Sequence, residues 1–261
     1  VIVVSILFPL ISSFSRAEAQ EPFRLRVLSL NMNSGAGVDS RVDYNRIASA
    51  IRAAEPDVVA LQEVDRGMVR TGSIDQARLL AGRLNLEHAF GGNFEFLGGM
   101  FGNAVLSRYP ITGQENHSLP SPAGGEPRGA LEVTIRPEGG PALRLISTQF
   151  DHRRDDRNRL AAADWLASRA ESWQEPPTIL SGDLNASPGS ESVDHLVNDW
   201  TTTGNGPLPT VPALVPRLQY DHILVTPADR WRVVSVRVLD EPEASDHRPI
   251  LAVLEFLPGS P

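Results

Sequence analysis

Residues 178–188, TILSGDLNASP, set a carboxylate and an amide two positions apart, Asp183 and Asn185, at the end of a short apolar run. On an extended strand, side chains at i and i+2 share a face, so the pair would converge on one point. A carboxylate beside an amide can hold a water, a hard metal ion or a phosphate oxygen. An Asx turn closing the strand would use the same residues, and the segment alone does not separate the two readings. Gly182 admits close approach of backbone or ligand, and Pro188 stops the strand. Asn31, Glu63, Asp221 and the pair Asp246-His247 also follow or sit within apolar runs. Each is a hard oxygen donor or an imidazole. Singly, each has an ordinary structural explanation: a loop cap for Asn31, a surface charge for Glu63, an ion pair of Asp221 with His222, a satisfied buried imidazole for His247. Five such strand ends together argue for one shared site.

The elements that must carry these residues follow from hydrophobic periodicity. Residues 23–32 alternate and then turn apolar, a strand ending at Asn31 and Asn33; 57–64 is a buried strand closing on Gln62-Glu63. Ile47, Ala48, Ile51 and Ala54 lie at helical spacing within 43–55, and a second helix covers 75–86. Residues 91–102 hold five glycines and the side chains Phe94, Phe96, Met100 and Phe101, the composition of a mobile rim. Strands are expected at 103–108 and 111–119, a hairpin from 128–136 and 142–150, then helices over 155–173 and 191–197. The Pro-rich segment 207–216 reads as an ordered loop, and strands at 219–225, 232–239 and 249–256 complete the chain. Roughly ten strands and four helices without a strict βαβ rhythm predict an α+β fold: a four-layer sandwich of two packed, mostly antiparallel sheets with helices on the outer faces.

Composition narrows the chemistry. With 41% hydrophobic and 21% charged residues among 261, the chain is an ordinary globular protein. It has no cysteine, which excludes disulfides and thiolate-held zinc or iron–sulfur centres. A net charge of −8 counts against non-specific grip on nucleic acid, which favours basic proteins. Residues 1–19 have an apolar core followed by Ala17-Glu18-Ala19, the pattern of a signal peptide with a small-residue cleavage site before Gln20. Export is therefore expected, secreted or periplasmic, with 20–261 forming a single domain. No G-x-S-x-G elbow is present, which disfavours a serine hydrolase.

Seven stretches in order, LSLNMN (28–33), DVVALQEVD (57–65), GNAVLSRYPI (102–111), EPRGALEV (126–133), LSGDLNASP (180–188), YDHILV (220–225) and SDHRPILA (245–252), resemble the endonuclease/exonuclease/phosphatase superfamily. Its members are metal-dependent phosphodiesterases of the pancreatic-deoxyribonuclease and sphingomyelinase type. The resemblance covers nearly the whole chain after residue 20 and implies the same four-layer sandwich. It implies an essential Mg²⁺ or Mn²⁺ on Glu63, with Asn31 and Asp246 as nearby or second-site ligands. Asp183 would then orient or deprotonate the attacking water and Asn185 would align it. His247 would contact the phosphoryl group with Asp221 fixing its tautomer, and Arg128 would reach a phosphate oxygen. Where the family often carries T-H-L-D, this chain has Thr148-Gln149-Phe150-Asp151; Gln149 can bind phosphate but cannot carry charge. His152, on a continuing strand, would face away from Gln149 and is not assigned in its place. The expected reaction is hydrolysis of a phosphoester, most naturally a phosphodiester, by a chain acting as a monomer. The substrate is a nucleic acid, a phospholipid or a small phosphate ester. A lipid phosphodiesterase of sphingomyelinase or glycosylphosphatidylinositol-remodelling type fits export and a membrane-facing rim at 91–102. The rival from another class is a silent module that binds a phosphate ligand, for which Gln149 is the one supporting feature.

Overall fold

A computed structural model describes residues 22–257, so the signal peptide expected at 1–19 lies outside the described residues. In chain order the elements are β1 (Phe23–Asn31), α1 (Tyr44–Ala54), β2 (Val58–Arg66), α2 (Gln76–Leu84), β3 (Glu87–Phe96), β4 (Gly99–Ser107), β5 (Ile111–Ser118) and β6 (Gly129–Ile135). Then follow β7 (Leu143–Gln149), α3 (Arg157–Ala167), β8 (Thr178–Asp183), α4 (Glu191–Leu196), β9 (Thr201–Thr202), β10 (Asp221–Thr226), β11 (Trp231–Val238) and β12 (Ile250–Phe256).

Strand β1 shows how the layers arise. Its alternate side chains divide between two cores: Leu25 and Val27 enter the layer between the sheets, Leu28 and Leu30 the layer beneath the helices. Both faces are buried, so the strand reads as an apolar run rather than a clean alternation. One sheet has the order β11-β12-β1-β2-β4-β3 and the other β5-β6-β7-β8-β10-β9. Each is antiparallel except for one central parallel pair, β1 with β2 and β7 with β8. A parallel pair needs a crossover, which α1 and α3 supply. α1 and α2 cover the first sheet through Ile47, Ile51 and Leu80; α3 and α4 cover the second through Ala163, Leu166 and Leu196. The predicted four-layer sandwich is the observed one.

The two parallel pairs set the site. In open sheets, ligands gather beyond the carboxyl ends of parallel strands. Asn31, Gln149 and Asp183 are the last residues of β1, β7 and β8, and Glu63 lies near the end of β2.

Three expectations need correction. Residues 91–102 are not a loop but most of the β3–β4 hairpin, closed by Leu97-Gly98, whose φ values of 45° and 79° are those of a tight two-residue turn. The glycines serve the pairing: a Cβ on Gly102 would overlap the Gly91 carbonyl, and the ladder shifts register between Gly92 and Phe94. The helix expected over 155–173 ends at Ala167, because the chain then tightens to i→i−3 bonds from Arg169 to Leu166 O (3.2 Å) and Ala170 to Ala167 O (3.0 Å). Strand β9, too short to show a period, has no counterpart among the predicted elements.

Candidate active site

Glu63 reaches the site because β2 breaks its own alternation. Val59 and Leu61 face the helices, so an unbroken strand would bury Glu63 among them. Instead the pairing with β4 shifts between Leu61 and Val64, Glu63 adopts φ 56°, and Val64 takes the next place in the apolar layer. The bulge releases the carboxylate into the strand-end cleft. There, Glu63 Oε1 accepts from Asn31 Nδ2 (2.9 Å) and Gln149 Nε2 (2.8 Å).

The same two amides bind the second carboxylate. Asn31 Nδ2 lies 3.1 Å and Gln149 Nε2 3.3 Å from Asp183 Oδ2. Asp183 is 1% exposed. Asn185 meets it, but not by strand alternation: β8 ends at Asp183 and Asn185 has φ 48°. The backbone N–H of Asn185 donates to Asp183 Oδ1 (2.8 Å), an Asx turn that brings Asn185 Nδ2 to Oδ2 (3.2 Å). The Asx turn is thus the geometry that sets the Asn185 amide against the Asp183 carboxylate. A Cβ on Gly182 would overlap the Thr148 carbonyl oxygen, so that position admits glycine alone without moving β7 against β8.

Opposite Asp183 in the antiparallel β8–β10 pair stands Asp221, fully buried. Its Oδ2 lies 2.8 Å from His247 Nδ1, while His247 Nε2 is 4.0 Å from Asp183 Oδ2. Burial disfavours charge on His247, but the charge and hydrogen bond of Asp221 outweigh it and lift the imidazole to about 10. Burial pushes the Asp183 carboxyl up to about 6, the His247 cation opposing and the Asp221 anion adding to the rise. Asp183, Asp221 and His247 form a buried cluster with ligand-capable atoms within 4.8 Å of one another. Asp246 lies exposed at the rim beside Ser245, whose Oγ donates to Asn31 O (2.7 Å) and lies 3.3 Å from Asp246 Oδ1.

On the other side of Gln149 stands Arg128, 6% exposed. Its Nη1 donates to Gln149 Oε1 (2.5 Å) and lies 3.0 Å from Glu126 Oε1; its Nη2 is 3.0 Å from His152 Nδ1. Sequence reasoning missed His152, because β7 stops at Gln149 and the chain turns. The signal available was Asp151, whose side chain accepts the Arg153 N–H (2.8 Å) in another Asx turn. A cavity of about 530 Å³ opens here, lined by Glu63, Arg128, His152, Arg70, Glu126 and the phenylalanines 94, 96 and 101. A second cavity of about 510 Å³, bounded by Leu208, Arg217 and His222, contains none of the clustered site residues.

The carboxylates suit a hard divalent ion. Glu63 and Asp246 offer oxygens only, and no protein hydrogen bond reaches Glu63 Oε2 among the described residues. Asn31 presents its amide nitrogen to both carboxylates while its Oδ1 accepts the Asn33 N–H (3.0 Å).

Residues 28–247 match the model of the Endonuclease/Exonuclease/phosphatase family. The chain is 27% identical over 254 residues to the uncharacterized protein YbhP of Escherichia coli K12, covering 90% of this chain and 98% of that one. It superposes on a crystal structure of an endonuclease/exonuclease/phosphatase from Beutenbergia cavernae with a TM-score of 0.67 and 26% identity, over 89% of this chain and 72% of that chain. The mannosyl-6-phosphatase Bt3783 of Bacteroides thetaiotaomicron shares the fold with a TM-score of 0.73 at 20% identity, over 89% of this chain and all of that one. The chain belongs to the endonuclease/exonuclease/phosphatase family and is a metal-dependent phosphoester hydrolase.

Proposed function

We propose, from the premise of that membership, that the protein is an exported Mg²⁺- or Mn²⁺-dependent phosphodiesterase in which Asp183 activates the attacking water. The observation that carries this reading is the environment of Asp183: a buried carboxylate held by three amides, raised to about 6, with a cationic imidazole 4.0 Å away. A general base works best with a pKa near the operating pH. In this reading the Asp221 anion keeps His247 as the imidazolium, which leaves Asp183 to act as the base.

In this reading, Glu63 holds the divalent ion, with Asn31 and Asp246 as neighbouring ligands. When bound, the ion supplies Lewis-acid stabilisation of charge on the phosphoryl oxygens. The chain's own groups do the rest. Asp183 takes a proton from water, Asn185 fixes the carboxylate that receives it, and Asn31 and Gln149 hold Asp183 in register with Glu63. Arg128 and the His247 imidazolium face the non-bridging oxygens, where negative charge grows during in-line attack. Asp221 keeps His247 charged and oriented.

The cavity supports a compact substrate. Arg70 is bound to Asp65 (2.7 Å) and Arg128 to Glu126 (3.0 Å), so its cations are already paired and do not make a polyanion groove. A lipid phosphodiester is the second reading, favoured by the apolar tip beside this cavity, where Val69, Phe96 and Leu97 are 72%, 47% and 51% exposed. Export rests on the pattern of residues 1–19. The test is a panel of bis-p-nitrophenyl phosphate, sphingomyelin vesicles, inositol phosphates and plasmid DNA under Mg²⁺ and Mn²⁺. Turnover on the small or lipid diesters above that on DNA is expected; preference for DNA overturns the substrate assignment.

A further inference from the structure

We propose that His152 is the acid that protonates the leaving group, the imidazole that position 149 lacks. The inference rests on the phosphodiesterase reading above and adds to it the far half of the reaction.

The site is a hydrogen-bonded line. It runs from Asp183 Oδ2 to Gln149 Nε2 (3.3 Å), from Gln149 Oε1 to Arg128 Nη1 (2.5 Å), and from Arg128 Nη2 to His152 Nδ1 (3.0 Å). Water attacks beside Asp183. In-line displacement puts the departing oxygen away from it, across phosphorus, and the titratable side chain that ends this chain of hydrogen bonds is His152. His247 cannot serve there, since its Nε2 faces Asp183 and its Nδ1 is held by Asp221.

His152 is solvent-exposed, but the turn that carries it is tied down by side-chain hydrogen bonds on both sides. Asp151 beside it is 3% exposed and accepts from the Arg153 backbone (2.8 Å), the Arg153 guanidinium (3.0 Å) and Asn158 Nδ2 (2.9 Å). Arg159 Nη1 donates to Asp151 O (2.8 Å) and to Arg153 O (2.5 Å). Asn158 also binds the 123–124 loop, through Ala123 N (2.9 Å) and Gly124 O (2.7 Å). This network holds the exposed His152 side chain at the wall of the cavity that Glu63 and Arg128 share.

Arginine only donates, so Arg128 makes His152 Nδ1 an acceptor and leaves the proton on Nε2, on a ring that lines the cavity. A phosphoryl oxygen entering between Arg128 and His152 would accept from both. The charged groups around it are Arg128, Glu126, Glu63 and Arg70 across the cavity, and Asp151 and Arg153 on its own turn. In the step itself the P–O bond to water forms as the P–O bond to the leaving group breaks. Asp183 takes one proton from water, His152 gives one to the departing oxygen, and solvent returns both groups to their starting states.

The experiment compares wild type with His152→Gln and His152→Ala on methyl phosphodiesters whose leaving groups range from p-nitrophenol to benzyl alcohol, with the metal saturating. An acid matters in proportion to leaving-group basicity. We expect less than about 3-fold loss of kcat for p-nitrophenol and about 10²-fold or more for benzyl alcohol, the usual scale of acid catalysis. Equal loss across the series in both variants overturns the role of His152 while leaving the phosphodiesterase reading intact. Absence of metal-dependent turnover in wild type on every ester overturns both.

Discussion

Asp183 and His247 occupy one buried cluster, and under the proposed roles their protonation sets the pH range of the enzyme. As pH rises through about 6, Asp183 loses its proton and becomes competent as a base; as pH rises through about 10, His247 loses the charge that faces the phosphate. On bis-p-nitrophenyl phosphate, whose leaving group needs no acid, a plot of kcat/KM against pH should therefore climb near 6 as the base is gained and fall near 10 as the His247 cation is lost. Asp221→Asn removes the anion that favours the imidazolium. It should move the alkaline limb to lower pH and cut kcat about 10²-fold or more, as loss of an orienting aspartate does in catalytic triads. A limb unmoved in that variant contradicts the assignment of His247. At this scale, side-chain types with ordered motifs made Asn31, Glu63, Asp183, Asp221 and His247 legible in the sequence. His152 was not, because its direction depends on where β7 stops, and that is decided by an Asx turn at Asp151 rather than by strand periodicity.

Elements deliver these residues through local breaks in regularity, which hydrophobic pattern does not report. The bulge at Glu63 and the left-handed Asn185 both depend on backbone geometry, φ 56° and 48°. Glycine density at 91–102 suggested a loop, yet Gly102 is there because its neighbour strand leaves no room for a side chain. Gly182 is the same case at the site itself, and Gly182→Ala should destabilise the fold by about 2–3 kcal/mol, the scale of overpacking, read as a lower midpoint in urea unfolding. The turn that carries His152 also has an acid signature. Although burial opposes its charge, hydrogen bonds from Arg153 and Asn158 hold the Asp151 carboxyl at about 2, below its ordinary 3.8. A depressed carboxyl stabilises the fold above its unfolded value and loses that contribution as pH falls from about 4 to about 2. Comparison of wild type with Asp151→Asn should show about 1–2 kcal/mol of extra stability at pH 7 that disappears by pH 2.

The whole molecule is two similar halves: each sheet has a central parallel pair, and the four strands of those pairs send their ends to one cleft. Alternation and element count made this layering legible, since residues shared between two cores read as buried runs. Charge bears on the substrate. At −8 the surface repels polyanions, and salt should raise rather than lower residual activity on DNA. No helix among the described residues is long and apolar enough to cross a membrane. In the lipid reading, the surface that would meet the membrane is the exposed β3–β4 tip with Val69 beside it. Leu97→Asp with Val69→Asp should slow hydrolysis of a vesicle-borne diester about 10-fold and leave a soluble diester unaffected; equal rates on vesicles count against a membrane role for the tip. The central claim is that Asp183 activates water beside a divalent ion on Glu63. Its most direct test is the initial rate of bis-p-nitrophenyl phosphate hydrolysis, titrated with Mg²⁺ after chelation, for wild type, Glu63→Ala and Asp183→Asn. The expected result is full dependence on the metal in wild type, a large rise in the Mg²⁺ needed by Glu63→Ala, and a rate at least about 10³-fold lower for Asp183→Asn at saturating Mg²⁺. Wild-type turnover that survives chelation, or an Asp183→Asn variant that keeps its rate, contradicts it.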